Sequence, residues 1–185
     1  GELSEALDLL REAQAELAED GVTVRAPRVG IMVEVPSAVY QIDKLIRMVD
    51  FASIGSNDLT QYLLAVDRNN DRVAKLYDSL HPVVLAATRH VVEQVRAAGR
   101  PIGVCGEMAG DPAGALLLMA MGVDSLSMNL GSLLKIKWLI RSVPYCEART
   151  LLAEVADCDR AAAIRDRANA FLEQHGLSGL LRVGK

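Results

Sequence analysis

The chain has 185 residues, 51% of them apolar, and sets 20 basic side chains against 24 acidic ones for a net charge of −4. That balance describes one soluble, mildly acidic globular domain and leaves no general basic surface for nucleic acid or an anionic membrane. The longest apolar run, Ala113 to Val123, falls far short of the roughly 18 residues that a membrane span needs, and the charges of Glu2, Glu5 and Asp8 argue against a secretory leader in the first residues.

Leu3, Leu7, Leu10 and Leu17 recur at helical spacing up to Asp20-Gly21, so the chain opens on an amphipathic helix. Val29 to Val33 is short, apolar and mostly β-branched, and Pro36 closes it, which predicts a buried strand ending near Glu34. Ser37 is placed to cap a helix through about Met48, and Phe51 to Ile54 forms a second strand ending at Gly55. Helical segments are expected from Asp58 to Ala65 and around Arg72 to Leu80. Pro82 begins a helix that Gly99 ends, and Pro101 to Cys105 is a third strand. Asp111-Pro112 caps a helix to Met121, Asp124 to Met128 is a fourth strand, and Ser132 starts a helix to about Ser142. Two more helices, Tyr145 to Ala156 and Asp159 to His175, finish the chain.

Strands alternating with helices predict right-handed crossovers and a parallel sheet. Four βα units make half of an eight-stranded (β/α)₈ barrel; the competing fold is an open doubly wound sheet. Half a barrel would expose two strand edges and an apolar interior, which favours self-association. In either fold ligands meet the carboxyl ends of the strands, where this sequence puts Glu34, Asn57 with Asp58, Cys105 and Asn129.

Each of these residues has a chemical and a structural reading. Neighbouring strands lie about 4.8 Å apart, so Glu34 and Asp58 could share a Mg²⁺ that keeps waters in its octahedron. Alternatively Glu34 pairs with an arginine and Asp58 caps its helix. Arg68 could hold a carboxylate or phosphate bidentately, or form a surface ion pair with Asp67 or Asp71. Cys105, between Val104 and Gly106, could act as an acid or nucleophile, or be a small core residue. Glu107 is a further carboxylate or a capping group. Cys105, Cys146 and Cys158 form an odd set without C-x-x-C spacing, which argues against disulfides or structural zinc and for a reducing cytoplasm. His81, His90 and His175 make no triad, and His90 and His175 read as solvated helix residues.

Gly30-Ile-Met-Val-Glu-Val-Pro36, Ser53-Ile-Gly-Ser-Asn-Asp-Leu-Thr-Gln-Tyr62, Ala65-Val-Asp-Arg68 and Cys105-Gly-Glu-Met-Ala-Gly110 are ordered blocks whose combination is far more specific than any one of them. Together they resemble the phosphoenolpyruvate-utilising enzyme family, especially enzymes I of bacterial phosphotransferase systems. The stretch Met128 to Trp138 resembles their nitrogen-related branch. The resemblance implies the C-terminal half of a (β/α)₈ barrel that binds phosphoenolpyruvate at the carboxyl ends of its strands. On the matching positions Glu34 and Asp58 would hold Mg²⁺, Asn57, Asp58 and Arg68 would contact phosphoenolpyruvate, and Cys105 would be the catalytic acid-base residue. Ser56 stands where sugar-type members commonly have Thr, and Met108 where Leu is common. The phosphohistidine motif G-G-x-T-S-H is not in these residues. The resemblance therefore implies that the phosphoryl-accepting and carrier-binding domains lie outside the chain, that the chain alone carries part of a site without turnover, and that the intact enzyme is a homodimer working with a small phosphocarrier protein; the competing readings are a dimerisation or ligand-sensing module without turnover and a pyruvate-binding lyase on a related barrel.

Overall fold

The computed structural model describes residues 1–181. Its centre is one sheet of four parallel strands, β1 (Gly30–Val33), β2 (Phe51–Gly55), β3 (Ile102–Cys105) and β4 (Ser125–Ser127), in spatial order β1-β2-β3-β4. A doubly wound sheet reverses its strand order at a switch point, whereas this order runs in one direction. Right-handed crossovers between successive neighbours then put the connecting helices on one side, which is the winding of a partial (β/α) barrel.

The strand side chains agree with that winding. Val33, Ala52, Ile54, Ile102 and Val104 alternate onto the helix-covered face and are buried. The opposite face carries Met32, Phe51, Ser53, Gly103, Cys105, Ser125 and Ser127, all half-buried or exposed. This corrects the expectation of an apolar interior: beside Met32 and Phe51 the open face is built of small and polar groups. Its cost in water lies more in the unpaired edges of β1 and β4 than in hydrophobic area.

The helices are α1 (Glu2–Glu19), α2 (Pro36–Val39), α3 (Ile42–Leu45), α4 (Ser56–Leu64), α5 (Pro82–Ala97), α6 (Glu107–Gly110), α7 (Pro112–Met121), α8 (Leu130–Ser142), α9 (Tyr145–Val155) and α10 (Ala161–Gln174). None is long and apolar enough to cross a membrane. The core centres on α7, where Ala113 to Leu118 and Ala120 are all buried; α9 and α10 pack on it as a second helical layer. Gly114 is required there, since a Cβ would stand 2.4 Å from the Met108 carbonyl oxygen of α6. Each fully buried leucine of α7 contributes about 1.5–3 kcal/mol of hydrophobic stabilisation.

Several expectations need correction. The single helix from Ser37 to Met48 is broken into α2, α3 and a 3₁₀ turn, Ile46–Met48. Pro36, not Ser37, sets its start, and buried β-branched Val39, Ile42 and Ile46 serve the core at some loss of helix propensity. Around Arg72 to Leu80 only Ala74–Leu76 is helical, as a 3₁₀ turn. Side chains there take the backbone donors that a helix would use: Asn70 accepts from Arg72 N–H and Asp78 from Leu80 N–H. Asp111 sits at the N-cap of α7 without capping it, and α8 starts at Leu130 rather than Ser132, capped by Asn129, which accepts from the Ser132 N–H at 2.9 Å. The short α6 is an element that the sequence pattern does not announce.

His175 is also not a solvated side chain. Its Nδ1 lies 2.8 Å from the Phe171 carbonyl oxygen and its Nε2 2.9 Å from a Glu147 carboxylate oxygen, so it ties the end of α10 to α9. The Phe171 carbonyl, and then Glu147, raise its pKa against the opposing effect of burial. A raised folded-state pKa stabilises fully below the unfolded value, about 6.5, and the effect is lost as pH rises through the folded value. The difference in unfolding free energy between the native chain and His175→Gln should therefore shrink as pH is raised above about 6.5. Urea titrations showing a constant or growing difference would contradict this assignment.

Candidate active site

The carboxyl ends of β1, β2 and β3 lie side by side in the sheet. Glu34 follows β1 directly, one step beyond the Val33–Ile54 register pair, and so stands abreast of Gly55. A Cβ on Gly55 would lie 2.8 Å from Glu34 Oε2 and 3.0 Å from Glu34 Cβ, so the missing side chain is what lets the carboxylate lie across the end of β2.

Gly55 leads straight into α4, which begins two residues before its expected start. Asn57 and Asp58 are thus inside the first turn, and Asp58 makes no cap hydrogen bond. Ser56 is buried, and its hydroxyl donates to the Cys105 carbonyl oxygen at 2.8 Å. Asn57 Oδ1 accepts from the Glu107 N–H at 2.9 Å. These two bonds fasten the start of α4 to the turn after β3. With its oxygen so engaged, the Asn57 amide nitrogen keeps its donors free for another acceptor.

At the end of β3, Cys105 alternates with buried Val104 and so lies on the open face of the sheet. Its Sγ is 3.8 Å from Met32 Sδ and 3.5 Å from the Ile54 carbonyl oxygen. Gly106 has φ +112°, and a Cβ there would meet Ser56 Oγ at 2.4 Å and Asn57 Oδ1 at 2.8 Å. The close approach that Gly106 permits is therefore that of Ser56 and Asn57.

Arg68 pairs with neither Asp67 nor Asp71: its Nη2 lies 3.8 Å from Asp58 Oδ1, both side chains being partly exposed. Asp67 is used locally, accepting from the Asn69 N–H. Glu107 is exposed and acts through its N–H. Asn129, at the fourth strand end, is a helix cap. Among the described residues no group of three or more His, Cys, Asp or Glu converges as a metal cage. The carboxylates present at this end are Glu34 and Asp58 with the outlying Glu107, a set of hard oxygen donors.

Three residues here escaped the sequence. Tyr77, from the loop before α5, donates its hydroxyl to the Asn57 carbonyl oxygen at 3.2 Å. Burial and then the Glu107 charge push its pKa above the ordinary tyrosine value, with Thr60 and Arg68 partly offsetting them, so the hydroxyl stays a donor. The Ser56 hydroxyl bonds to the Cys105 carbonyl, a role that any hydroxyl residue at this position could fill. Arg165 of α10 reaches Asp78 and Asp111. Such long-range contacts leave no local pattern.

A family model described as PEP-utilising enzyme, PEP-binding domain, matches residues 1–145. A protein of Salmonella typhimurium strain LT2 described as "Phosphoenolpyruvate-dependent phosphotransferase system" is 43% identical over 184 residues, covering 99% of this chain and 25% of the relative. One of the same description from Escherichia coli strain K12 is 44% identical with the same coverage. A "Phosphoenolpyruvate-protein phosphotransferase" of Haemophilus influenzae is 41% identical over 178 residues, 96% of this chain and 31% of that protein. The chain thus spans about a quarter to a third of the length of these curated relatives.

Gly106 and Gly99 both have positive φ, but a Cβ on Gly99 would meet nothing within 4 Å. Gly99→Ala should cost only the backbone strain, about 1 kcal/mol, whereas Gly106→Ala adds the clash with Ser56 and Asn57 and should cost about 2–4 kcal/mol. Equal losses in chemical denaturation would show that the Asn57–Gly106 contact is not held tightly.

Proposed function

The chain belongs to the phosphoenolpyruvate-utilising enzyme family, and on that premise we propose that it is the C-terminal half of a phosphoenolpyruvate-binding barrel, supplying part of a Mg²⁺–phosphoenolpyruvate site for phosphoryl transfer. The intact enzyme passes the phosphoryl group from phosphoenolpyruvate to a histidine on another domain and then to a small phosphocarrier protein. One observation supports this above the rest: Ser56 and Asn57 clamp the turn after β3, so that Asn57, Asp58 with Arg68, and Cys105 share one end of an open parallel sheet with Glu34, which Gly55 lets across β2.

In this reading Glu34 and Asp58 hold the metal. Their hard oxygens suit Mg²⁺, which needs few protein ligands, and a cation held there would supply positive charge against the phosphoryl group. Arg68 is 3.8 Å from Asp58, near enough to meet a substrate anion beside it, and Asn57 offers its amide N–H groups to a phosphoryl or carboxylate oxygen. The chemistry is mainly positioning and charge neutralisation. As the P–O bond of phosphoenolpyruvate breaks and the acceptor histidine takes the phosphoryl group, the electron pair left on pyruvate's enolate is quenched at its methylene carbon by the Cys105 S–H proton. The thiol suits this step because it lies on the open face of the sheet.

The proposed homodimer is supported by α8, where Leu130, Leu134 and Trp138 recur at four-residue spacing and are 84%, 76% and 51% exposed. Three free cysteines agree with a reducing cytoplasm.

Two variants of the full phosphotransferase separate the roles. Asp58→Ala should abolish Mg²⁺-dependent phosphoryl transfer with the fold intact. Cys105→Ser should keep metal and phosphoenolpyruvate binding yet slow pyruvate formation by roughly 10² to 10⁴. Unchanged chemistry-limited turnover in either variant would overturn the role given to that residue.

A further inference from the structure

The contacts around the candidate site close into a ring that leaves the sheet and returns to it through the C-terminal helical layer. Asn57 Oδ1 accepts from the Glu107 N–H, and the Glu107 carbonyl accepts from the Asp111 N–H at 3.0 Å across α6. The Asp111 carboxylate accepts from Arg165 Nη1 at 2.9 Å, while Nη2 of the same guanidinium lies 3.4 Å from Asp78 Oδ1. Asp78 adjoins Tyr77, whose hydroxyl returns to the Asn57 carbonyl oxygen. Arg165 is the member that the C-terminal helices contribute to this ring, and it is 54 and 87 residues from its partners.

We propose that Arg165 is a positioning residue for the candidate site, fixing the loop of Tyr77 against the turn of Cys105 and thereby the setting of Asn57 between them. The proposal deepens the reading above and rests on it for its functional meaning, because Arg165 touches none of the reacting groups. A planar fork is suited to the task, since it can donate to two carboxylates on different elements at once, where an ammonium is a point charge that serves one well. Asp78 and Asp111 hold the Arg165 pKa above its ordinary value despite the opposing effect of burial, so the clamp stays charged. Asp111 sits at an N-cap but makes no cap bond, and Asp78 accepts from Leu80 while facing Arg165. Both carboxylates are therefore arranged for the guanidinium, and the C-terminal helices do more than cover α7.

The test uses neither phosphoenolpyruvate nor metal, so it succeeds or fails independently of the phosphotransfer reading. Alkylation of Cys105 by a maleimide, followed by peptide mass mapping to separate it from Cys146 and Cys158, reports how firmly the turn after β3 is held. Arg165→Gln should speed Cys105 alkylation about three- to tenfold and the hydrogen exchange of the Glu107 amide by a similar factor. Arg165→Lys, which keeps the charge without the fork, should fall between that variant and the native chain. Cys158, outside the ring, should react at its native rate in both. Native rates at Cys105 and Glu107 in Arg165→Gln would overturn the proposal, and so would an equal acceleration at Cys158, which would mean general loosening. If Arg165→Gln does not fold, Arg165→Lys decides by itself: a faster rate confined to Cys105 and Glu107 supports the positioning role, and an unchanged rate overturns it.

Discussion

The hydrogen bond from the Glu107 N–H to Asn57 Oδ1, paired with the one from the Ser56 hydroxyl to the Cys105 carbonyl, is the constraint on which the arrangement of the site depends. Each bond is worth only about 1 kcal/mol net; the buried Ser56 hydroxyl would cost about 1–3 kcal/mol more if it lost its partner, whereas the exposed Glu107 N–H could turn to water. Their geometry needs glycine at 106 so that the turn can come under Ser56 and Asn57. It needs glycine at 55 so that Glu34 can cross the end of β2. A Cβ at either place would meet polar atoms closer than 3 Å.

The sheet beneath sets the second constraint. Strands ordered in one direction, with helices on one side, leave an open face, and this face is not the wall of branched aliphatics that usually fills a barrel. Ser53, Gly103, Ser125 and Ser127 stand there with Cys105 and Met32. Small and polar groups leave room above the carboxyl ends of the strands, and they keep a thiol on that face from being one more packed core atom. Away from that face, α8 exposes Leu130, Leu133, Leu134, Trp138 and Ile140.

The strands were legible because buried parallel strands read as short runs of apolar and β-branched residues closed by Gly or Pro, and each observed strand lies within its expected segment. Glu34, Asn57, Asp58 and Cys105 were legible as positions for the same reason, since each stands at or just past the end of such a run. Reading failed where tertiary contacts decide. Polar side chains around Asp78 spend their hydrogen bonds on turns, so a segment with helical composition is not a helix. Asp111 looks like a cap from its place before Pro112, yet its carboxylate goes to an arginine 54 residues away. His175 looks solvated until Glu147 arrives from α9. Tyr77 carries no motif, and its role exists only because the loop before α5 folds back over Asn57.

The most direct test of the central claim, that the Ser56–Asn57 clamp holds the turn after β3 beside the proposed cation site of Glu34 and Asp58, is paramagnetic broadening of backbone NMR signals by Mn²⁺ in the native chain and in Asn57→Ala. The account predicts that in the native chain broadening centres on Glu34, Gly55 and Asp58 and extends to Cys105 and Gly106. In Asn57→Ala it should persist at the first three and weaken at the turn after β3. Broadening centred elsewhere, or a pattern at Cys105 and Gly106 that Asn57→Ala leaves unchanged, would contradict it.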